Sequence, residues 1–391
     1  MNEVKTLMNL CLRNAVLPES RAESTIITVE NGLLTGANKL IEKGDETIDL
    51  HGARLFAGFI DVHNHGANGV DCNEATADEL HEVAKFLALN GVTAWLPTLV
   101  PDSSENYQKS IAAIDELMQT QDAREPAARV LGVHYEGPFV SEKQCGALRT
   151  RYFRDFKNGD EIEFLPKLKI LNAVHLITIA PEIAGGIELI KTLKQQNWIV
   201  AIGHTRADTQ TLDRAQAAGA RHLTHFFNAM SGLHHRDLGV AGWGLTRDEV
   251  TFDIIADGVH VNSDILKFAV RAKSPERVTL ISDSVAPTGL GDGEFEIWNE
   301  KISVTNGKTQ NARGSIAGSV ITILEAVRKM QALGFTAAEV SQMASLNPAR
   351  LLGIGDECGS IEPGKRADLV AIDENGRVKL TIIGGRIVNV R

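Results

Sequence analysis

The chain of 391 residues has few cysteines and clusters none of them. Cys11, Cys72, Cys145 and Cys358 are scattered and form no C-x-x-C pair. That argues against a disulfide framework or a zinc knuckle and fits reduced thiols in a cytoplasmic protein. Positive charge is not in excess either. Lys and Arg number 40 against 50 Asp and Glu, a net charge of -10, which argues against nucleic acid or an anionic membrane as the main partner. A small anionic substrate in a local cationic pocket remains compatible with this balance. The first residues, Met1-Asn2-Glu3-Val4-Lys5, carry no basic segment leading into an apolar run, so no signal peptide is expected. No uninterrupted apolar stretch reaches the roughly 20 residues of a membrane helix, and no repeat or low-complexity segment is visible. Apolar bulk is plentiful: 43% of residues are hydrophobic, enough for a large core.

The two ends read alike. Leu7 to Leu12 and Ser24 to Val29 are strand-like and separated by turn formers such as Glu30-Asn31-Gly32; Ala367 to Asp373 and Leu380 to Ile383 run into Glu374-Asn375-Gly376 and Gly384-Gly385. They imply one small β-sandwich domain built from both termini, over 1–56 and 359–391. The middle, 57–358, alternates strand and helix patterns. Strands are expected at 55–62, 92–96, 129–135, 174–179, 198–202, 221–224, 251–255 and 278–282, and a helix over 77–89 opens on the capping box Thr76-x-x-Glu79. Eight βα units over about 300 residues imply a TIM-type (β/α)8 barrel, whose chemistry sits at the C-terminal strand ends.

Those ends carry a pattern. The apolar segment Leu55 to Val62 runs into His63-Asn64-His65, and strand alternation places the two imidazoles on one side. Later strands end in Glu136-Gly137-Pro138, Gly203-His204-Thr205, Thr224-His225 and Ser282-Asp283. His63, His65, His204 and His225 offer neutral nitrogens to a borderline divalent metal, and Glu136 offers a carboxylate able to bridge two ions. A metal lowers the pKa of water from ~16 to near 7, and Asp283 is placed to take the proton and pass it to a leaving group. That chemistry suits hydrolysis of an amide or related C–N bond. His134 reads as a core or supporting histidine, His175 and His222 as structural, and His51 and His81 as surface residues.

Together these segments resemble the amidohydrolase superfamily and, within it, the N-acetylglucosamine-6-phosphate deacetylases. The resemblance covers most of the chain. It rests on Gly58-Phe59-Ile60-Asp61-x-His63-x-His65-Gly66, His134-x-Glu136-Gly137-Pro138-Phe139, Gly203-His204-Thr205 and Thr224-His225-x-x-Asn228-Ala229-Met230. It continues through His234-His235-Arg236, Asp257-Gly258-x-His260, Ser282-Asp283, Ile316-Ala317-Gly318-Ser319, Asn347-Pro348-Ala349 and Gly364-Lys365-x-Ala367-Asp368-Leu369-Val370. It implies one or two divalent ions, zinc first, with iron, manganese or cobalt accepted by the same ligands. It further implies Asp283 as acid/base and Ala147, Asn228, Ala229, His235, His260, Ile316, Ala317 and Gly318 as substrate contacts. Arg236 is implied to reach a phosphate in the partner subunit's site, hence a homodimer acting on a sugar phosphate.

One position departs from that pattern. Where the family usually carries Gly-Ala-His, this chain has Gly146-Ala147-Leu148-Arg149, and leucine donates no hydrogen bond. A second metal at His63 and His65, or Arg149 moving in, are the expected replacements. The same chemistry suits the galactosamine epimer, dihydroorotase-like ring opening and deacylation of N-acyl amino acids; the last two leave His234-His235-Arg236 without a task. A silent scaffold is disfavoured because all five ligands and Asp283 are retained.

Overall fold

The computed structural model describes residues 9–19, 25–37, 46–157, 159–298 and 300–388. Met1 to Lys5, Leu7, Met8 and Ser24, which entered the sequence reading, lie outside the described residues. Eight strands form the centre: β1 (Phe59–Asn64), β2 (Val92–Leu99), β3 (Gly132–Glu136), β4 (Val174–Ile179), β5 (Ile199–Ile202), β6 (His222–Leu223), β7 (Thr251–Ile255) and β8 (Val278–Ile281). Each pairs in parallel with the next, in sequence order. The ring closes where the Asp283 amide donates to the His63 carbonyl at 2.9 Å and the His65 amide to the Ser284 carbonyl at 2.8 Å. This is the TIM-type barrel expected from the strand–helix alternation.

Helices follow the strands: α1 (Ala77–Leu89), α2 (Ser104–Thr120), α3 (Gly186–Gln195), α4 (Thr209–Ala217), α5 (Gly239–Thr246), α6 (Ser263–Lys273) and α7 (Ile323–Ala332). α1 starts where the capping box places it: the Glu79 amide donates to the Thr76 hydroxyl and the Thr76 amide to the Glu79 carboxylate. His81 faces inward from α1 and is buried, correcting its surface assignment. Among the described residues β3 is followed by short 3-10 turns instead of an α-helix, so one βα unit is irregular.

The expected strand over 55–62 is two strands. Arg54–Ala57 belongs to a flanking sheet, β1 to the barrel, and Gly58 is the joint. A Cβ at Gly58 would lie 2.1 Å from Thr93 Oγ1, so only glycine lets the chain pass β2 here. The flanking sheet runs Arg386–Val388, Val378–Ile383, Leu369–Ile372, Arg54–Ala57; a second runs Leu33–Ala37, Thr25–Glu30, Leu10–Ala15, Glu46–Asp49. Leu10, Leu12, Ile27, Val29, Leu55, Leu369 and Ile382 pack between them into one core. Both termini thus build the sandwich.

A three-stranded antiparallel sheet, Gly293–Ile297, Glu300–Thr305 and Lys308–Asn311, is inserted between β8 and α7. None of the strands expected from the sequence falls there. The insert packs Ile297, Trp298 and Ile302 against Val100, Val140, Leu148, Val285 and Ala317, which anchors it beside the barrel mouth.

Candidate metal centre

The five candidate ligands and Asp283 converge at the C-terminal end of the barrel, and all are buried. His63 reaches the mouth by an irregularity. Its neighbours Ile60 and Val62 line the barrel interior with Ala94, Leu96, Leu176 and Ile281. The pairing of β1 with β2 slips between Asp61 and Asn64, and this turns His63 inward as well. His63 Nε2 and His65 Nε2 then lie 3.1 Å apart, so the two imidazoles do share a side, though through a bulge as well as alternation.

The donor atoms form two overlapping groups joined by Glu136. In one, His204 Nε2 and His225 Nε2 are 3.0 Å apart and each is 3.0 Å from Glu136 Oε1. In the other, His63 Nε2 is 3.6 Å from Glu136 Oε1 and His65 Nε2 is 3.3 Å from Glu136 Oε2. Four ligands about 2.0–2.1 Å from a tetrahedral ion stand roughly 3.3 Å from one another, so both groups have the spacing a small divalent cation needs. Two tautomers are set from behind. His204 Nδ1 is bonded to the Gln144 carbonyl at 2.8 Å and His65 Nδ1 to the Thr98 carbonyl at 3.2 Å. A ring that donates from Nδ1 presents its Nε2 lone pair to the centre.

The electrostatics agree. Burial drives the His63 imidazole well below its ordinary range, leaving it neutral. Burial opposes ionisation of Glu136, but His63 and the bonds from His204, His225 and His65 outweigh it and hold the carboxyl well below its usual range. Burial also pulls His65 and His225 down, yet the carboxylates of Asp283 and Glu136 push His65 up to about 10, and Glu136 pushes His225 up to about 9. The cluster therefore demands positive charge among its imidazoles, which protons or a divalent cation both supply. The donor set fits a divalent metal.

Asp283 closes the constellation. Its Oδ1 lies 3.4 Å from His63 Nε2 and 3.3 Å from His65 Nε2. Asp283, His204, His225 and Ala229 all adopt left-handed backbone angles, strain of the kind that concentrates at functional sites. Beside Asp283, the Ser319 amide donates to the Asp283 carbonyl at 2.7 Å. Gly318 has φ 62, and a Cβ there would meet Val285 Cγ1 at 2.5 Å and Asp283 O at 2.9 Å, so the segment Ile316, Ala317, Gly318 can lie against the centre only with glycine.

The remaining candidates surround the mouth. Asn228 and Ala229 follow β6; the Asn228 amide donates to the carbonyls of His225 and Phe226, and the Thr205 amide to that of Ala229. His260 Nδ1 bonds Asp257 Oδ2 at 2.6 Å. Ala147 accepts from Arg313 at 3.1 Å. His235 and Arg236 stand on an exposed loop, where the His234 and His235 ring centroids lie 4.1 Å apart with the planes tilted by 43°. Leu148 is buried in apolar contacts. Arg149 does not move in for the missing histidine: its guanidinium forms a buried ion pair with Asp102 at 2.7 Å.

A supporting layer escaped the sequence reading. Asp61 accepts from Ser282 Oγ at 2.6 Å and Asn64 Nδ2 at 3.0 Å, tying β1 to β8. His134, already read as supporting, bonds Thr98 at 3.3 Å and Thr178 at 2.8 Å and stands edge-on to His63 at 4.6 Å. Asp253 receives the His225 amide and sits 2.9 Å from His222 Nε2. These residues had no signal beyond polar type within an apolar strand.

The sequence profile of the amidohydrolase family matches residues 54–388. The chain belongs to the amidohydrolase family. Among the relatives of this amidohydrolase, the N-acetylgalactosamine-6-phosphate deacetylase of Escherichia coli O157:H7 is 37% identical over 338 residues, covering 86% of this chain and 88% of the relative. The N-acetylglucosamine-6-phosphate deacetylase of Bacillus subtilis is 34% identical over 336 residues, covering 85% and 84%. The crystal structure of N-acetylglucosamine-6-phosphate deacetylase from Pasteurella multocida matches with a TM-score of 0.89 at 26% identity, over 98% of this chain and 100% of that one. A mutant enzyme of the same name from Mycobacterium smegmatis, in complex with N-acetyl-D-glucosamine-6-phosphate, matches with a TM-score of 0.87 at 28% identity, over 98% and 99%.

Proposed function

We propose that this amidohydrolase removes the acetyl group from an N-acetylhexosamine 6-phosphate, giving acetate and the amino sugar phosphate, in amino sugar catabolism. The observation that carries the reading is the buried cluster of His63, His65, Glu136, His204 and His225 with Asp283 facing both His63 and His65. The relatives' activities fit it. N-acetylglucosamine 6-phosphate is the proposed substrate; the Escherichia coli O157:H7 relative favours the galactosamine epimer as a second reading.

His204, His225 and Glu136 would hold one divalent ion, and His63, His65 and Glu136 would hold a second; zinc is proposed for both. When bound, such an ion polarises an acyl oxygen and acidifies water at neutral pH. Asp283 accepts the proton of the attacking water through its carboxylate. As the C–N bond breaks, the same proton passes from Asp283 to the leaving nitrogen, so that the amine departs neutral and acetic acid remains, which loses its remaining proton to solvent as acetate. Asn228, Ala229, Ala147, His235, His260 and the Ile316–Gly318 backbone hold the sugar. Arg236 takes the 6-phosphate, for which a guanidinium fork is well shaped. Its exposed loop, with Leu233 53% exposed, fits a homodimer in which Arg236 serves the partner subunit's site. A cytoplasmic location is proposed as well, and the four free thiols support it. Among the described residues no helix is long and apolar enough to cross a membrane.

The test is acetate release from both epimers, each with and without the 6-phosphate, beside an N-acyl amino acid and dihydroorotate. The reading expects turnover of at least one phosphorylated hexosamine and little of the rest. Preference for either of the last two substrates would overturn it.

A further inference from the structure

We propose that Trp298, in the sheet inserted after β8, contacts the substrate's acyl group and donates its indole N–H to the acyl carbonyl oxygen. The inference rests on the deacylation reading above. Trp298 sits in the turn after Gly293–Ile297 with φ 54, a left-handed angle that costs a bulky residue energy. Its ring stands edge-to-face on His65, with centroids 5.4 Å apart, so the insert delivers this side chain directly to the metal centre. Its neighbours in the apolar cluster include Leu148 and Ala317, with Ala147 packed against the same cluster. Ala147 and Ala317 are the residues proposed above to wall the sugar.

The indole nitrogen is buried and has no hydrogen-bond partner. Leaving such a donor unsatisfied costs about 1–3 kcal/mol, a cost that a bound acceptor removes. Of the other side chains named for this site, Leu148 has nothing to donate, the Asn228 side-chain amide donates to two backbone carbonyls, and Arg149 is held by its ion pair to Asp102, although its buried Nε also lacks a partner. Trp95 also has an unpartnered indole nitrogen, but it lies in the core between barrel and helices. As water adds to the acyl carbon, the carbonyl oxygen gains negative charge and a fixed N–H donor strengthens its bond. That bond belongs to the transition state more than to the bound substrate, so its loss lowers kcat more than it raises KM.

The experiment compares wild type with Trp298→Phe, which keeps a ring against His65 and removes the N–H. The proposal expects kcat to fall on the order of 100-fold with KM little changed. It expects Leu148→His in the Trp298→Phe background to recover part of that loss by supplying an imidazole donor from the same cluster. An independent readout uses metal-loaded protein labelled with 15N-tryptophan and titrated with acetate. One indole cross-peak, absent from Trp298→Phe, should move downfield, and this reading of the wild type stands even where the variant folds poorly. A Trp298→Phe enzyme with wild-type kcat, or a Trp298 cross-peak that acetate leaves in place, overturns the proposal while the deacetylase reading survives. A wild-type protein that releases no acetate from any hexosamine phosphate sinks that reading and takes this proposal with it.

Discussion

Asp283→Asn separates proton transfer from metal binding. Asparagine preserves the shape of the side chain and removes its ability to accept a proton. Asp283 Oδ1 faces His63 Nε2 at 3.4 Å and His65 Nε2 at 3.3 Å, whereas His204, His225 and Glu136 contact one another at 3.0 Å without it. The substitution should therefore leave at least that three-residue site loaded. A positioned acid/base contributes about 100- to 10,000-fold. Asp283 is proposed to act twice, accepting the proton and returning it, which places the loss near the upper end. At 1.36 kcal/mol per decade, about 10,000-fold corresponds to roughly 5 kcal/mol on the barrier. The assay is steady-state acetate release, run beside elemental analysis for metal and a thermal melt. The account expects near-complete loss of kcat with metal content and folding retained. A variant within a few-fold of wild type would refute the role of Asp283. Loss of activity together with all bound metal would show that Asp283 acts as a ligand instead.

Two further outcomes follow from other parts of the molecule. Arg236→Ala should raise KM for the phosphorylated substrate about 10- to 100-fold, the value of a charge-assisted bond of about 1.5–3 kcal/mol, while kcat changes little; equal efficiency of wild type on phosphorylated and unphosphorylated sugars counts against the phosphate role. Gly58→Ala places a methyl 2.1 Å from Thr93 Oγ1 and should destabilise the fold by about 1–3 kcal/mol in denaturant unfolding, with Thr93→Ala restoring part of it; an unchanged midpoint contradicts the account of the joint between sandwich and barrel.

Much of the metal centre was legible because its ligands fall at strand ends, where an apolar run gives way to glycine or proline. Glu136 and His204 stand out in sequence for that reason, and the barrel brings such ends to one mouth. Other features depend on contacts remote in sequence. Gly58 looks like any glycine until Thr93 is placed beside it. Arg149 reads as a free guanidinium until Asp102, 47 residues earlier, is folded against it. The insert over 293–311 alternates weakly, with Glu294, Glu296 and Lys301 among its residues, and its packed face becomes apparent only against Leu148 and Val285. Asp61, Thr98 and Thr178 are polar residues inside strands whose task emerges only from remote partners: Thr98 and Thr178 hold the His134 ring, and Asp61 ties β1 to β8 through Ser282.

The most direct measurement strips the protein of metal with a chelator and follows acetate release from N-acetylglucosamine 6-phosphate as zinc is titrated back. The account predicts negligible release at the start and recovery that saturates at one or two equivalents per chain. Full activity in the stripped protein, or no release at any zinc level from this sugar or its galactosamine epimer, would contradict it.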